Sequence, residues 1–211
     1  MDVATIDHLL TSTRSVRRRL DLTRAVEPDV IARCLDIAVQ APAGGNLARY
    51  HFVVVTDRAK RSEIATLYKR AFLEDYVPRR KQVRAPFPEA EAGFFESATY
   101  LAEHLHEVPV HIIPCFEGRV EEKGTFWQAS MYGCILPVTW SLMLALRARG
   151  LGSSLTTLHL IYEVLPGIAW VTPRYSDRPA RVSRGRAPRY RSRLSTAAPA
   201  FTEAEIRGVA T

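Results

Sequence analysis

The sequence predicts a domain of mixed helices and strands, and three observations carry that expectation. Two short apolar runs, Phe52-Val53-Val54-Val55 and Pro109 to Phe116, read as buried strands. Around them, apolar residues recur at three- and four-residue steps, the spacing of one helix face. Thr125 to Leu146 runs for 22 residues without a charged side chain and reads as a helix apolar on most faces.

Composition bounds the function. A chain of 211 residues, 47% hydrophobic and 24% charged, can bury a sizeable core and has the balance of an ordinary globular protein. Cys34, Cys115 and Cys134 are far apart and form no CxxC pair, which argues against a disulfide framework or a zinc site and fits a reducing, cytoplasmic setting. Met1 to Leu10 holds two aspartates and no apolar h-region, unlike a signal peptide. The net charge of +7 is local: residues 171–211 carry nine arginines against three acids, while residues 1–170 carry 20 basic and 19 acidic groups. The near-neutral body is therefore not expected to bind nucleic acid, and only the tail offers the charge for it.

Taken in order, Ile6 to Leu20 reads as a helix ending in Arg14-Ser15-Val16-Arg17-Arg18-Arg19. Guanidinium groups beside a serine hydroxyl can grip a phosphate through bidentate, charge-assisted hydrogen bonds, although such a run is also an ordinary solvated face. Glu27-Pro28-Asp29 opens a second helix, with Pro at its first position and Val30, Ile31, Cys34, Leu35 and Ala38 on one face. Ala41-Pro42-Ala43-Gly44-Gly45-Asn46 then leads into the first strand. Adjacent glycines let this backbone approach a ligand closely, though the bland alternative is a simple turn. Arg58 to Phe72 is a third helix; Asp75 to Pro88 reads as a mobile loop; Phe94 to His106 is helical again. His104 and His106, two residues apart, fall on different helix faces, so they make no metal pair and no metal site is expected.

Thr125 to Leu146 meets the length of a membrane span. Its Gln128, Ser130, Gly133, Thr139 and Ser141, and its place between α/β units, favour a core helix or an oligomer interface, bent at Pro137. Arg147, Arg149 and Gly150 close it, and Leu151 to Thr157 form a second Gly/Ser loop.

Three separated pieces together resemble the FMN-dependent nitroreductase family, most closely its actinobacterial-type members. They are Arg14-Ser15-Val16-Arg17, Ala41 to Asn46 followed by Phe52 to Val55, and Ala148-Arg149-Gly150-Leu151-Gly152-Ser153; the resemblance spans roughly residues 6–163. It implies an α+β sandwich with a central, mostly antiparallel sheet flanked by helices, assembled as a homodimer with FMN at the subunit interface. It places Arg14, Ser15 and Arg17 on the FMN phosphate and ribityl chain, and Pro42, Ala43, Gly45 and Asn46 along the isoalloxazine edge. Gly152 and Ser153 would offer backbone N–H groups near the reactive nitrogen. The uncharged helix would be the central dimer helix. NADH or NADPH would be the co-substrate and an electron-poor nitroaromatic or quinone the acceptor. No catalytic side chain is implied, because the redox chemistry belongs to the flavin.

Two stretches depart from the family pattern. Where members continue the Asn loop with Gln-Pro-Trp, this chain has Ala48-Arg49-Tyr50. After Val164-Leu165-Pro166-Gly167-Ile168 the closing segment of the family is missing, and residues 171–211 lack the apolar periodicity of a packed segment. The expected organisation is a flavin-binding domain over residues 1–170 and a poorly ordered, Arg/Ala/Pro-rich tail over 171–211, read as an altered-frame or degenerate end, with a flexible basic extension acquired for another role as the competing account. A flavin-binding protein without turnover is the alternative that such an end leaves open.

Overall fold

The computed structural model describes residues 2–43, 50–82, 88–116, 118–120 and 122–162. The loop residues 44–49 and everything from 163 onward lie outside them, including the expectations for Gly45, Asn46 and the tail.

Helix α1 (Val3–Ser12) starts at Asp2, whose carboxylate accepts from the N–H groups of Ala4 and Thr5. It is shorter than the sequence pattern suggests. The Thr13 N–H closes it on the Leu9 carbonyl at 3.1 Å, and the arginine run beyond is not helical. The reason is tertiary: the Val16 N–H, which a helix would need, donates to the Ser153 carbonyl at 2.8 Å across a parallel bridge pairing Ser15 with Ser153. Helix α2 (Pro28–Ala38) begins with proline at its first turn as expected, and buries Ile31, Cys34, Leu35 and Ala38.

Strands β1 (Tyr50–Val55) and β2 (His111–Phe116) are antiparallel, in register from Tyr50 opposite Phe116 to Val55 opposite His111. This agrees with an α+β architecture built on an antiparallel sheet. Tyr50, Phe52, Val54 and Ile112 pack with α2 and with helix α6 (Thr125–Arg147) into one core. On α6 the residues Cys134, Val138, Leu142, Ala145 and Leu146 belong to that core. The helix continues through Pro137, which lacks the donor for the Gly133 carbonyl. Beyond it, Gly150 has φ 76°, and the Leu151 N–H returns to the Leu146 carbonyl at 3.0 Å, so the predicted glycine stop is present.

A second core joins helix α3 (Arg58–Ala71), helix α5 (Pro88–His104) and the 3-10 turn Leu105–Glu107, with Tyr68, Phe72, Leu101 and Leu105 at its centre. The segment expected to be a mobile loop from Asp75 is instead helical as far as it is described. A π turn (Phe72–Tyr76) is followed by α4 (Val77–Gln82). The Val77 N–H bonds the Phe72 carbonyl five residues back. That wider turn sits where the Pro78 ring would collide with the Glu74 carbonyl of a regular helix. Proline reads as a breaker in sequence, but the π turn absorbs it. A 3-10 turn (Leu158–Tyr162) closes the described chain against α3.

Candidate functional site

The Ser15–Ser153 bridge joins two of the three segments singled out in the sequence. Its closeness explains Gly152. A Cβ there would lie 2.9 Å from Leu20 Cδ2 and 3.1 Å from Val16 Cβ, so only glycine lets the two backbones meet without displacing their neighbours. Ser153 and the adjacent Ser154 are buried, and the Ser154 hydroxyl has no hydrogen-bond partner. Thr156, two residues further on, hydrogen-bonds the buried Tyr68, whose pKa burial raises.

The basic residues beside the bridge occupy three different states. Arg14 is exposed; its Nη1 donates to the Thr13 carbonyl at 2.7 Å, and it has no carboxylate partner among the described residues. Arg17 is half-buried with its guanidinium carbon 5.1 Å from the centre of the Phe94 ring. Arg18 pairs with Glu96 at 2.9 Å. Arg17 and Arg18 therefore both hold α5, a role that their sequence pattern did not reveal. The run of arginines looked uniform, and the partners Phe94 and Glu96 lie on another element.

Pro42 and Ala43 follow the end of α2. Ala41 and Ala43 pack against the sheet core, and so does Leu151 at the start of the Gly152 loop. The two loops thus border one core, while Pro42 itself is exposed. The described residues bring Ser15 directly to Ser153, with Arg14 and Arg17 flanking the bridge in sequence, and Ala43 to Leu151 only through that shared core.

Against known families, residues 10–168 match the model of the nitroreductase family. The chain belongs to this family. A curated relative, the 5,6-dimethylbenzimidazole synthase of Rhodospirillum rubrum, is 29% identical over 153 residues, covering 70% of this chain and 66% of its own length. The chain therefore spans just under two thirds of that synthase.

Among solved structures, iodotyrosine deiodinase bound to FMN and 3-iodo-L-tyrosine aligns with a TM-score of 0.53 at 22% identity, covering 70% of this chain and 72% of the other. A BluB-like flavoprotein from Clostridium difficile aligns with a TM-score of 0.52 at 17% identity and 76% of each chain. The FMN-dependent nitroreductase NfnB from Mycobacterium smegmatis, in complex with NADPH, aligns at 0.51 and 21% identity over 72% of this chain and 75% of its own. At these identities the likeness is one of fold. Nitroreductase-family members share a flavin oxidoreductase fold, and this chain has it.

Proposed function

We propose that this nitroreductase-family chain is an FMN-dependent oxidoreductase, taking hydride from NADH or NADPH and passing it to an electron-poor small molecule of nitroaromatic or quinone type. The observation that carries this reading is the Ser15–Ser153 bridge, which sets a cationic, hydroxyl-bearing segment against a glycine loop of close backbone approach. The residues present fit the cofactor. Arg14 is a solvent-facing guanidinium without an acidic partner among the described residues, Ser15 is exposed beside it, and Ser154 keeps an unsatisfied hydroxyl next to the bridge.

In this reading Arg14 and Ser15 hold the phosphate, with Arg17 released from Phe94 to join them. Pro42, Ala43, Gly45 and Asn46 border the ring, and Gly152 and Ser153 approach it from the other side. FMN, when bound, supplies the hydride chemistry; the chain positions it and leaves a slot for the acceptor.

The working unit is a homodimer in the cytoplasm. Helix α6 is long and apolar enough to span a membrane by length and composition, with a mean hydropathy of 1.5. One face is fixed in the sheet core, and the other exposes Phe126, Trp127, Tyr132, Leu136 and Trp140. A second copy covering that face accounts for both sides of the helix. The tail from residue 171 is read as an altered-frame end, testable by translating the other two frames beyond codon 163 for a Gly-Tyr-Pro-like closing segment.

The test is spectroscopic. Protein saturated with FMN should lose its flavin absorbance on addition of NADPH or NADH, and regain it with a quinone or nitroaromatic. Protein that takes up no added FMN sinks the proposal, and yellow protein that is never bleached is a flavin binder without turnover. The synthase relative motivates one added arm: the products of turnover are searched for 5,6-dimethylbenzimidazole, whose formation would move the chain to that activity.

A further inference from the structure

Arg17 joins a fixed backbone to a loosely held side chain. The Val16 N–H donates to the Ser153 carbonyl at 2.8 Å, and Val16 Cβ lies 3.1 Å from where a Gly152 Cβ would stand. Leu20 Cδ2 lies 2.9 Å from the same point, and Leu20 also packs against the helical core. Val16 and Leu20 are therefore wedged against the glycine loop, and Arg17 between them hangs from a backbone that cannot follow it.

The guanidinium carbon of Arg17 lies 5.1 Å from the centre of the Phe94 ring, and Arg17 forms no ion pair among the described residues. Glu96, two residues further along α5, is taken by Arg18 at 2.9 Å. Burial raises the Tyr68 pKa, opposed by a hydrogen bond with Thr156 and then by the Arg17 charge. Tyr68 thus faces both Arg17 and the loop that Gly152 opens.

Phe94 is 40% exposed, whereas Phe95 packs on Phe72 with ring centres 5.7 Å apart. Phe95 anchors α5 in the core, which leaves the Phe94 ring on the solvent side against Arg17. An exposed contact between a guanidinium and a ring is worth about two- to fivefold in an equilibrium. A charge-assisted hydrogen bond to a phosphate is worth about tenfold or more. A phosphate bound beside the Ser15–Ser153 bridge therefore draws Arg17 away, and the ring contact is lost in exchange.

We infer that Phe94 tunes the affinity of the candidate cofactor site by competing with the FMN phosphate for the Arg17 guanidinium, which presupposes the flavin reading above.

The experiment titrates the full chain, stripped of flavin, with FMN and separately with riboflavin, which lacks the phosphate. Flavin fluorescence reports binding at fixed ionic strength. Phe94→Leu keeps an apolar side chain without the ring face; it should tighten FMN by about two- to fivefold and leave riboflavin unchanged. Phe94→Tyr retains the ring and should bind FMN as the wild type does. Arg17→Ala should weaken FMN by about tenfold or more, and adding Phe94→Leu to it should change nothing further. FMN affinity unchanged or weakened by Phe94→Leu, equal tightening of riboflavin, or tightening that persists without Arg17 each overturns the inference. Wild-type protein that takes up no FMN brings down the flavin reading and the inference together. Wild-type protein that binds FMN no more weakly than Phe94→Leu overturns the inference alone.

Discussion

The two cores of this protein solve the same problem differently. The helical core of α3, α5 and the 105–107 turn is covered by its own chain: Tyr68, Phe72, Leu101 and Leu105 are buried, and exposed ion pairs such as Lys60–Glu63 and Arg70–Glu74 mark the outer side of α3. The sheet core buries Val138, Leu142 and Leu146 of α6 equally well, yet the opposite side of that helix carries Trp127, Tyr132, Leu136 and Trp140 into solvent. This difference is what motivates the proposed dimer. A helix with an apolar residue on every side cannot be satisfied by one sheet, whereas an amphipathic helix such as α3 can.

The largest expected effect follows from that contrast. Trp140→Glu, at a position 43% exposed, should leave the chain folded but convert the proposed dimer into a monomer in light scattering, with flavin retention falling in parallel. A Trp140→Glu protein that remains dimeric would remove α6 from the interface.

Next come matched truncations in the two cores. Leu146→Ala and Leu101→Ala each delete a buried leucine and should cost about 2–5 kcal/mol in denaturant unfolding. Only the first should also weaken the dimer, because it loosens the helix that carries the face. Equal loss of dimer from both would mean that the cores are not separable.

His111 ties the sheet to the helical core through its Nε2, 3.0 Å from the Leu105 carbonyl. Burial pushes its pKa down to about 4 from 6.5, with the charges of Arg61 and His159 adding to the effect. Between those values the unfolded chain binds the proton that the folded chain refuses. The stability that His111 contributes therefore falls as pH drops from about 6.5 towards 4 and levels below it, by on the order of 3 kcal/mol, and the buried His159, also pushed down to about 4, acts in the same direction. His111→Gln keeps a donor to Leu105 and should make this slope shallower, with the His159 share remaining. An unchanged acid profile would assign the loss to other groups.

The smallest effect is expected at Arg18→Ala. The Arg18–Glu96 pair is more than half exposed on both sides, so its loss should cost under about 1 kcal/mol. A larger cost would show that the basic segment holds α5 more firmly than a surface ion pair can.

Much of the local structure was legible in sequence. Pro28 opens α2, Gly150 ends α6, and the apolar runs are the strands, because each depends on backbone rules that act within a few residues. The candidate site was legible only in pieces: Arg14, Ser15, Arg17, Gly152 and Ser153 were picked out, and their resemblance to one family agrees with the match over residues 10–168. The helix expected through Arg14–Arg19 and the loop expected from Asp75 were not found. In the first case a distant carbonyl claims the Val16 N–H, and in the second a π turn accommodates Pro78.

The sequence by itself determined both described strands, the start of α2 and the glycine stop of α6, and left Thr125 to Leu146 without charge, because periodicity and composition are local properties. Only the tertiary structure decided that Ser15 meets Ser153, that Arg17 lies over Phe94, and that Arg61 donates to the carbonyls of His106 and Val108. Those are contacts between residues far apart in the chain, and their energies depend on geometry that no local pattern encodes.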